Sequence, residues 1–154
     1  MMYSGFVEAL GSLPFLEAII LSNNNLHGSV PKELGNLQYL RFLYLDHNQL
    51  SGEIPKELGL LESLQDLDLA SNQLEGEIPP HLGWLTELHR LSMAENKLTG
   101  PIPLELGNLQ NLVALSASEN QLTGSIPKEF VHLKKLEHLS LSRNQLEGGE
   151  GLFA

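Results

Sequence analysis

The sequence predicts an α/β solenoid, in which short repeating units stack into a right-handed superhelix. Three residue types support this prediction, because each recurs with a constant spacing of 24 residues. The leucine series is Leu13, Leu37, Leu61, Leu85, Leu109 and Leu133. The asparagine series is Asn24, Asn48, Asn72, Asn96, Asn120 and Asn144. The glycine series is Gly28, Gly52, Gly76, Gly100, Gly124 and Gly148.

We expect these repeats to form one domain that spans residues 1–154, because a single repeat cannot bury its own apolar face. The complete repeats are 13–36, 37–60, 61–84, 85–108 and 109–132. Residues 1–12 resemble the second half of a degenerate repeat, and 133–154 form an incomplete last one. Each repeat therefore corresponds to one turn of the solenoid.

The repeat at 37–60 illustrates why each turn folds as it does. Its residues 42–46 alternate, so that Leu43 and Leu45 point inward while Tyr44 points outward, which predicts a short strand. Asn48 ends this strand, and we expect the asparagine series to form a structural ladder that pairs with backbone groups of the loops. The rest of the repeat returns the chain, so that the strands form a parallel sheet on the concave side. Short 3-10 or irregular segments are expected on the convex side.

The return half of each repeat follows the pattern LxGxIPxxLG, and this pattern resembles the plant-specific class of leucine-rich repeats. One copy is Leu26-His27-Gly28-Ser29-Val30-Pro31-Lys32-Glu33-Leu34-Gly35. The resemblance covers about residues 12–149 and implies a second short strand near residues 50–52. Relatives of this class include ectodomains of receptor kinases and receptor-like proteins, together with algal and protist repeat proteins. The paired cysteines that usually cap plant ectodomains are missing, because the chain contains no cysteine.

Composition excludes several other classes of function. The formal net charge of −10 disfavours nucleic acid as a partner, since such partners usually require a basic face. No apolar run approaches the length of about 18 residues that a membrane helix needs, so we expect no membrane insertion. We see no signal peptide at the start, which together with the missing cysteines favours an intracellular protein, whereas the resemblance favours an extracellular one. The sequence leaves the localisation unknown.

The polar residues show no arrangement typical of chemistry. The six histidines lack a metal-binding spacing such as HExxH. Asp66 and Asp68 point the same way from one strand, with Asp46 near them, but neither a nucleophile nor oxyanion donors accompany them. We therefore predict no catalytic residue, no metal site, no cofactor and no enzyme activity. A weak cation site at these carboxylates is the alternative interpretation.

The exposed strand positions are where a partner would bind, because the fold itself demands no particular residue there. Aromatic and arginine side chains, which often anchor interfaces, are concentrated with acidic ones in the first four repeats. The predicted partner-binding residues are Ile20, Phe42, Tyr44, Asp46, His47, Asp66, Asp68, His89 and Arg90. An ordinary surface with cross-strand packing of the two aromatic rings is the alternative for this patch.

The sequence thus predicts a non-catalytic module that recognises a protein or peptide through its concave sheet, as part of a receptor or of an immune or signalling protein. The alternative is a structural or regulatory repeat segment of a larger protein, such as a kinase or GTPase, without a ligand of its own. The last repeat departs from the pattern, with Glu150 and Gly151 in place of Ile-Pro. Because apolar Leu152 and Phe153 follow, we also expect end-to-end self-association through uncapped termini.

Overall fold

The computed structural model describes residues 9, 10 and 12–148, and there it confirms the predicted solenoid. Two parallel sheets of six strands run along the solenoid. The strands of the first sheet are β1 (Ala18–Ile20), β3 (Phe42–Tyr44), β5 (Asp66–Asp68), β7 (Arg90–Ser92), β9 (Ala114–Ser116) and β11 (His138–Ser140). Those of the second are β2 (His27–Ser29), β4 (Gln49–Glu53), β6 (Gln73–Glu77), β8 (Lys97–Pro101), β10 (Gln121–Gly124) and β12 (Gln145–Leu146).

The first sheet is the predicted concave sheet, and its strands stack in the register of the repeat. Phe42 lies opposite Asp66 and Tyr44 opposite Asp68, so that equivalent residues form straight columns. The central leucine of each internal strand is buried, as at Leu67 and Leu91. The flanking residues of each strand therefore face outward.

The second sheet confirms the additional strand that the resemblance implied near residues 50–52, since β4 covers them. A glycine with a positive φ lies within each strand of this sheet from β2 to β10, as at Gly52 with φ 76°, and Gly148 follows β12 by two residues. A side chain is strained in this backbone conformation, whereas glycine adopts it freely. The glycine series of the sequence therefore reflects a backbone requirement.

In the described part of the chain, five 3-10 helices of five residues each lie on the convex side, as predicted. They are η1 (Lys32–Asn36), η2 (Lys56–Leu60), η3 (Pro80–Trp84), η4 (Leu104–Asn108) and η5 (Lys128–His132). A proline precedes each helix. The third residue of each helix is buried in the core, as Leu58 is in η2. Within the described residues, no helix combines the length and apolar character needed to cross a bilayer.

The asparagine series lies between the sheets and joins consecutive turns through hydrogen bonds. The side-chain amide of Asn72 donates to the carbonyl groups of Leu45, Leu69 and Ala70 at 3.0–3.2 Å. Its side-chain oxygen accepts a hydrogen bond from the backbone N–H of Leu50 at 3.0 Å. The same four types of bond recur at Asn48, Asn96, Asn120 and Asn144. Among the described residues, Asn24 in the first turn donates to the carbonyl groups of Leu21 and Ser22.

Candidate recognition groove

An open groove of about 440 Å³ lies on the outer face of the first sheet. It extends from Ser22 in the first turn to His138 and Ser140 on β11. Its lining consists of Ser22, Tyr44, Asp46, Asp66, Leu67, Asp68, Arg90, Leu91, Ser92, Ala114, Leu115, Ser116, His138 and Ser140. We call this surface the concave groove.

An aromatic pair forms one side of the concave groove. The rings of Phe42 and Tyr44, both from β3, lie with their centroids 6.4 Å apart. The guanidinium of Arg41 lies 5.4 Å from the centroid of the Phe42 ring. The Tyr44 hydroxyl donates a hydrogen bond of 2.9 Å to Asp66 on the next strand. The tyrosine is thus held in place by a bond between turns.

Carboxylates line the groove next to this pair. Asp46 accepts a hydrogen bond from the Ser22 hydroxyl of the preceding turn. Asp68 accepts one of 3.0 Å from the backbone N–H of Ala70. Burial raises the pKa of the Asp68 carboxyl, and the charge of Asp46 raises it further, although the bond from Ala70 opposes the rise. The surroundings of Asp68 therefore stabilise its charged form less well than water does.

The pKa of Tyr44 is raised as well, first by burial and then by the hydrogen bond and the charge of Asp66. The neutral hydroxyl is therefore the form present near neutral pH. This neutral hydroxyl donates its hydrogen bond to the Asp66 carboxylate. This geometry suits recognition by fixed dipoles and charges.

Arg90 follows the carboxylates along the groove, and small residues lie beyond it. Arg90 lies directly opposite Asp66 in the sheet, but it forms no ion pair with a carboxylate of the described residues. Beyond it the outward positions are small, with Ala114 and Ser116 on β9. The guanidinium therefore remains available to an acidic group of a ligand.

Five of the nine predicted partner-binding residues line the groove, namely Tyr44, Asp46, Asp66, Asp68 and Arg90. The other four lie outside its lining. Phe42 packs against Tyr44, and Ile20 is exposed on the edge strand β1. His47 occupies a turn with a φ of 53°. His89 precedes β7, and its Nδ1 is buried without a hydrogen-bond partner in the described chain.

Several lining residues were absent from the predicted set. Ser22, Ser92, Ser116, His138 and Ser140 belong to the same outward columns as Asp46, Tyr44 and Arg90. Their place in the outward-facing columns could have identified them. The prediction had instead selected the aromatic and charged residues of those columns. That the nine predicted residues or these additional lining residues bind a partner remains a prediction.

In residues 9, 10 and 12–148, no three histidine or acidic side chains gather as a metal site would require. The groove is also open along its length, so it does not exclude water from a bound group. Parallel repeats with an open, chemically mixed face define the class of repeat-built recognition scaffolds.

Comparison with known proteins identifies the family. The model for a leucine-rich repeat region matches residues 4–150, which is nearly the whole chain. The chain therefore belongs to the leucine-rich repeat family. A comparison of the sequence with curated proteins gave no match.

Solved plant structures share the fold over most of this chain. The ectodomain of the membrane receptor kinase GASSHO1/SCHENGEN3 from Arabidopsis thaliana, in complex with CASPARIAN STRIP INTEGRITY FACTOR 2, is 45% identical with a TM-score of 0.89. The plant peptide hormone receptor RGFR1 in complex with RGF2 is 40% identical with a TM-score of 0.87. A plant ice-binding protein is 34% identical with a TM-score of 0.78.

The alignments cover most of this chain but different fractions of the three relatives. The matches cover 90%, 89% and 89% of this chain, in the same order. They cover only 17%, 22% and 52% of the three relatives. The chain therefore spans a minor part of the two receptors and about half of the ice-binding protein.

Proposed function

We propose that this chain is a non-catalytic recognition module that binds a peptide or an extended protein segment along the concave groove. The observation that carries the proposal is the groove itself, in which Tyr44, the three carboxylates and Arg90 converge on one open face. The similarity to ectodomains solved in complex with ligands supports it. As in those proteins, the module would belong to a receptor or to an immune or signalling protein.

The dimensions of the sheet suit a short extended ligand. Six strands spaced by about 4.8 Å span roughly 24 Å, which corresponds to about seven extended residues. A basic side chain of the ligand would lie near Asp46 and Asp68, and an apolar one against Tyr44. An acidic group would then lie near Arg90. The chemistry of the groove thus favours a ligand that carries both charges.

Affinity capture from a native extract of the source organism tests the proposal. The unmodified chain is compared with a Phe42→Ala/Tyr44→Ala variant, after circular dichroism has shown that both are folded. A Tyr39→Ala variant is the matched control, because Tyr39 is also an exposed aromatic residue but packs against Phe15 outside the groove lining. We expect one ligand to be retained by the chain and the control and lost by the double variant.

The captured ligand is then titrated against each purified protein. Removal of an aromatic anchor of an interface costs about 2 kcal/mol or more, which weakens affinity roughly 30-fold. Equal affinity of the chain and the double variant would contradict binding in the groove. Capture of nothing by any of the three proteins would favour the alternative, a structural or regulatory repeat segment of a larger protein.

A further inference from the structure

A second surface of the solenoid, on its convex side, has an apolar character that the fold does not require. Four apolar side chains are exposed on three consecutive 3-10 helices, namely Leu60 of η2, Pro80 and Trp84 of η3, and Leu104 of η4. We call these four residues the convex patch. Trp84 is 57% exposed and is the only tryptophan of the chain. In each of these helices the third and fourth residues are the buried ones, so the patch contributes little to the core.

The convex patch interrupts columns that are polar in the other turns. The first residue of the helix is lysine in η1, η2 and η5, whereas η3 and η4 have Pro80 and Leu104 there. The fifth residue is asparagine or histidine in η1, η4 and η5, whereas η2 and η3 have Leu60 and Trp84. Described turns lie on both sides of these three helices, so the exposure of the patch does not depend on where the solenoid ends.

An open groove of about 740 Å³ adjoins the convex patch. Its lining is acidic and includes Glu53, Glu57, Glu77, Lys56, Pro80 and His81. The ring of His81 packs edge to face against Trp84, with the ring centroids 4.8 Å apart. The patch and this acidic groove therefore form one continuous surface.

The negative charges of the acidic groove are uncompensated within the described chain. Three carboxylates line it together with a single ammonium group, and no ion pair of the described residues includes any of them. The Glu53 side chain lies against Gly76 of the next turn, where an added Cβ would come within 2.9 Å of its Cγ. Negative charge on the wall of an open groove attracts a cationic partner.

We propose that the convex patch and the acidic groove form a second docking surface, which binds a segment of a partner protein in which arginine alternates with apolar residues. A guanidinium suits both parts of the surface, because it pairs with carboxylates in a planar geometry and stacks on the face of an aromatic ring. The apolar residues of the segment would cover Leu60 and Leu104, as at the apolar centre of other interfaces. None of these residues lines the concave groove, so both surfaces can be occupied at once.

A second copy of this chain would be a poorer partner for the docking surface. The chain has a formal net charge of −10, so that its copies repel one another. The self-association expected from the sequence depended on Leu152 and Phe153, which lie outside the described residues. Charge complementarity therefore favours a basic partner of a different sequence.

The fluorescence of Trp84 measures binding at this surface directly, because the chain has no other tryptophan. The probe is a capped peptide of alternating arginine and leucine, and its control is the same peptide with glutamate in place of arginine. We expect a saturable change of the Trp84 emission with the arginine peptide and none with the glutamate peptide. No change with either peptide, or the same change with both, would overturn the proposal.

Substitutions in the acidic groove test its charges while Trp84 stays in place as the reporter. We expect Glu57→Gln/Glu77→Gln to bind the arginine peptide about fivefold more weakly, because two ion pairs with the peptide are lost. Glu33→Gln/Glu129→Gln is the matched control, since it removes the same charge from η1 and η5 outside the docking surface. Equal weakening of the two variants would show that net charge alone attracts the peptide, and would overturn docking at this surface.

Leu60→Asn tests the apolar contact, since it gives η2 the residue that η1 and η4 have at this position. We expect binding about fivefold weaker, because less apolar surface is buried by the peptide. Val131→Asn changes an exposed apolar residue of η5 outside the patch and should leave binding unchanged. Equal effects of these two substitutions would contradict a contact at the patch.

The Phe42→Ala/Tyr44→Ala variant separates the docking surface from the concave groove. Its Trp84 emission should respond to the arginine peptide as that of the unmodified chain does, whether or not the variant has lost the ligand of the concave groove. A weaker response of this variant would place the peptide in the concave groove and would overturn the proposal of a second docking surface.

Discussion

At the residue scale, the most regular strain in the molecule lies just before each asparagine of the ladder. Asn23, His47, Ser71, Glu95, Glu119 and Arg143 all have φ values between 53° and 56°. Such left-handed backbone in a residue with a side chain is uncommon and costs roughly 1 kcal/mol or more. The ladder bonds made by the next residue hold the turn in this conformation, so the side chain at the strained position can vary.

This strain explains why His47 could not be placed from the sequence. Five of the six residues at that position are not glycine or asparagine, so the sequence gives no signal of a left-handed turn. The outward columns, in contrast, follow directly from the alternation of strand residues, and residues such as Tyr44 and Asp68 were predictable as groove neighbours. His89 differs again, because its position before β7 turns its ring partly inward, which alternation does not predict.

Asp68 provides a prediction about pH at this scale. Since its pKa is raised in the folded protein, the folded state holds the proton more tightly than the unfolded chain. The carboxyl therefore destabilises the fold above its folded pKa, and this cost disappears below its unfolded value of about 3.9. We expect Asp68→Asn to raise the free energy of unfolding near about pH 7 and to leave it unchanged near about pH 3.

Urea denaturation of both proteins at each pH measures the effect. The substitution keeps the side-chain oxygen that accepts the N–H of Ala70, so that bond remains. The direction of the shift is the decisive quantity. A variant that is less stable than the unmodified protein near neutral pH would argue against this explanation. So would the same difference in the free energy of unfolding at both pH values.

At the element scale, the stacking of the 3-10 helices depends on a close approach of their backbones. A Cβ at Gly59 would overlap the carbonyl oxygen of His81 in the next helix. Gly35 and Gly83 have the same relation to Glu57 and Glu105. In η5 the position is held by Val131, which is 52% exposed, since no further 3-10 helix stacks on it in the described chain.

The sequence predicted these helices only as short 3-10 or irregular segments, because five residues give too little periodicity to define a helix type. The pattern LxGxIPxxLG contains the glycine at the helix contact, but only the structure shows why a glycine is needed there. Val131 in place of glycine is equally informative, because η5 is the last 3-10 helix of the described residues and no described helix stacks on it. Boundaries of such short elements depend on neighbouring turns, which a single repeat does not reveal.

We predict that Gly59→Ala lowers the free energy of unfolding by about 1–3 kcal/mol, because the two helix backbones must move apart to admit the methyl group. Val131→Ala places alanine at the equivalent, unstacked position and should change stability by less than about 0.5 kcal/mol. Denaturant midpoints of the two variants give the comparison. Equal effects would show that contact with the next helix is not the cause.

At the scale of the whole molecule, the 24-residue period was sufficient to predict the stacking, the parallel sheet and the buried leucine columns. A constant period leaves one way to superimpose consecutive turns, so Leu43, Leu67 and Leu91 must form one column. The ends were less predictable, because their environment depends on how chain beyond the regular repeats is arranged. The exposure of Leu139 is therefore a property that only the assembled solenoid reveals.

Because each turn contacts only its neighbours, the cost of a core substitution should depend on its place along the solenoid. Leu91 is 1% exposed and has turns on both sides, so Leu91→Ala should cost about 2–5 kcal/mol. Leu139→Ala removes the equivalent side chain from β11, the last strand of the first sheet in the described chain, where the leucine is 37% exposed. We expect less than half the loss found for Leu91→Ala.

The measurement is urea unfolding at a protein concentration well below that of any self-association, so that only the single chain contributes. Equal losses in the dilute chain would mean that Leu139 is as deeply buried in solution as Leu91. The cost of a core substitution would then not depend on its place along the solenoid.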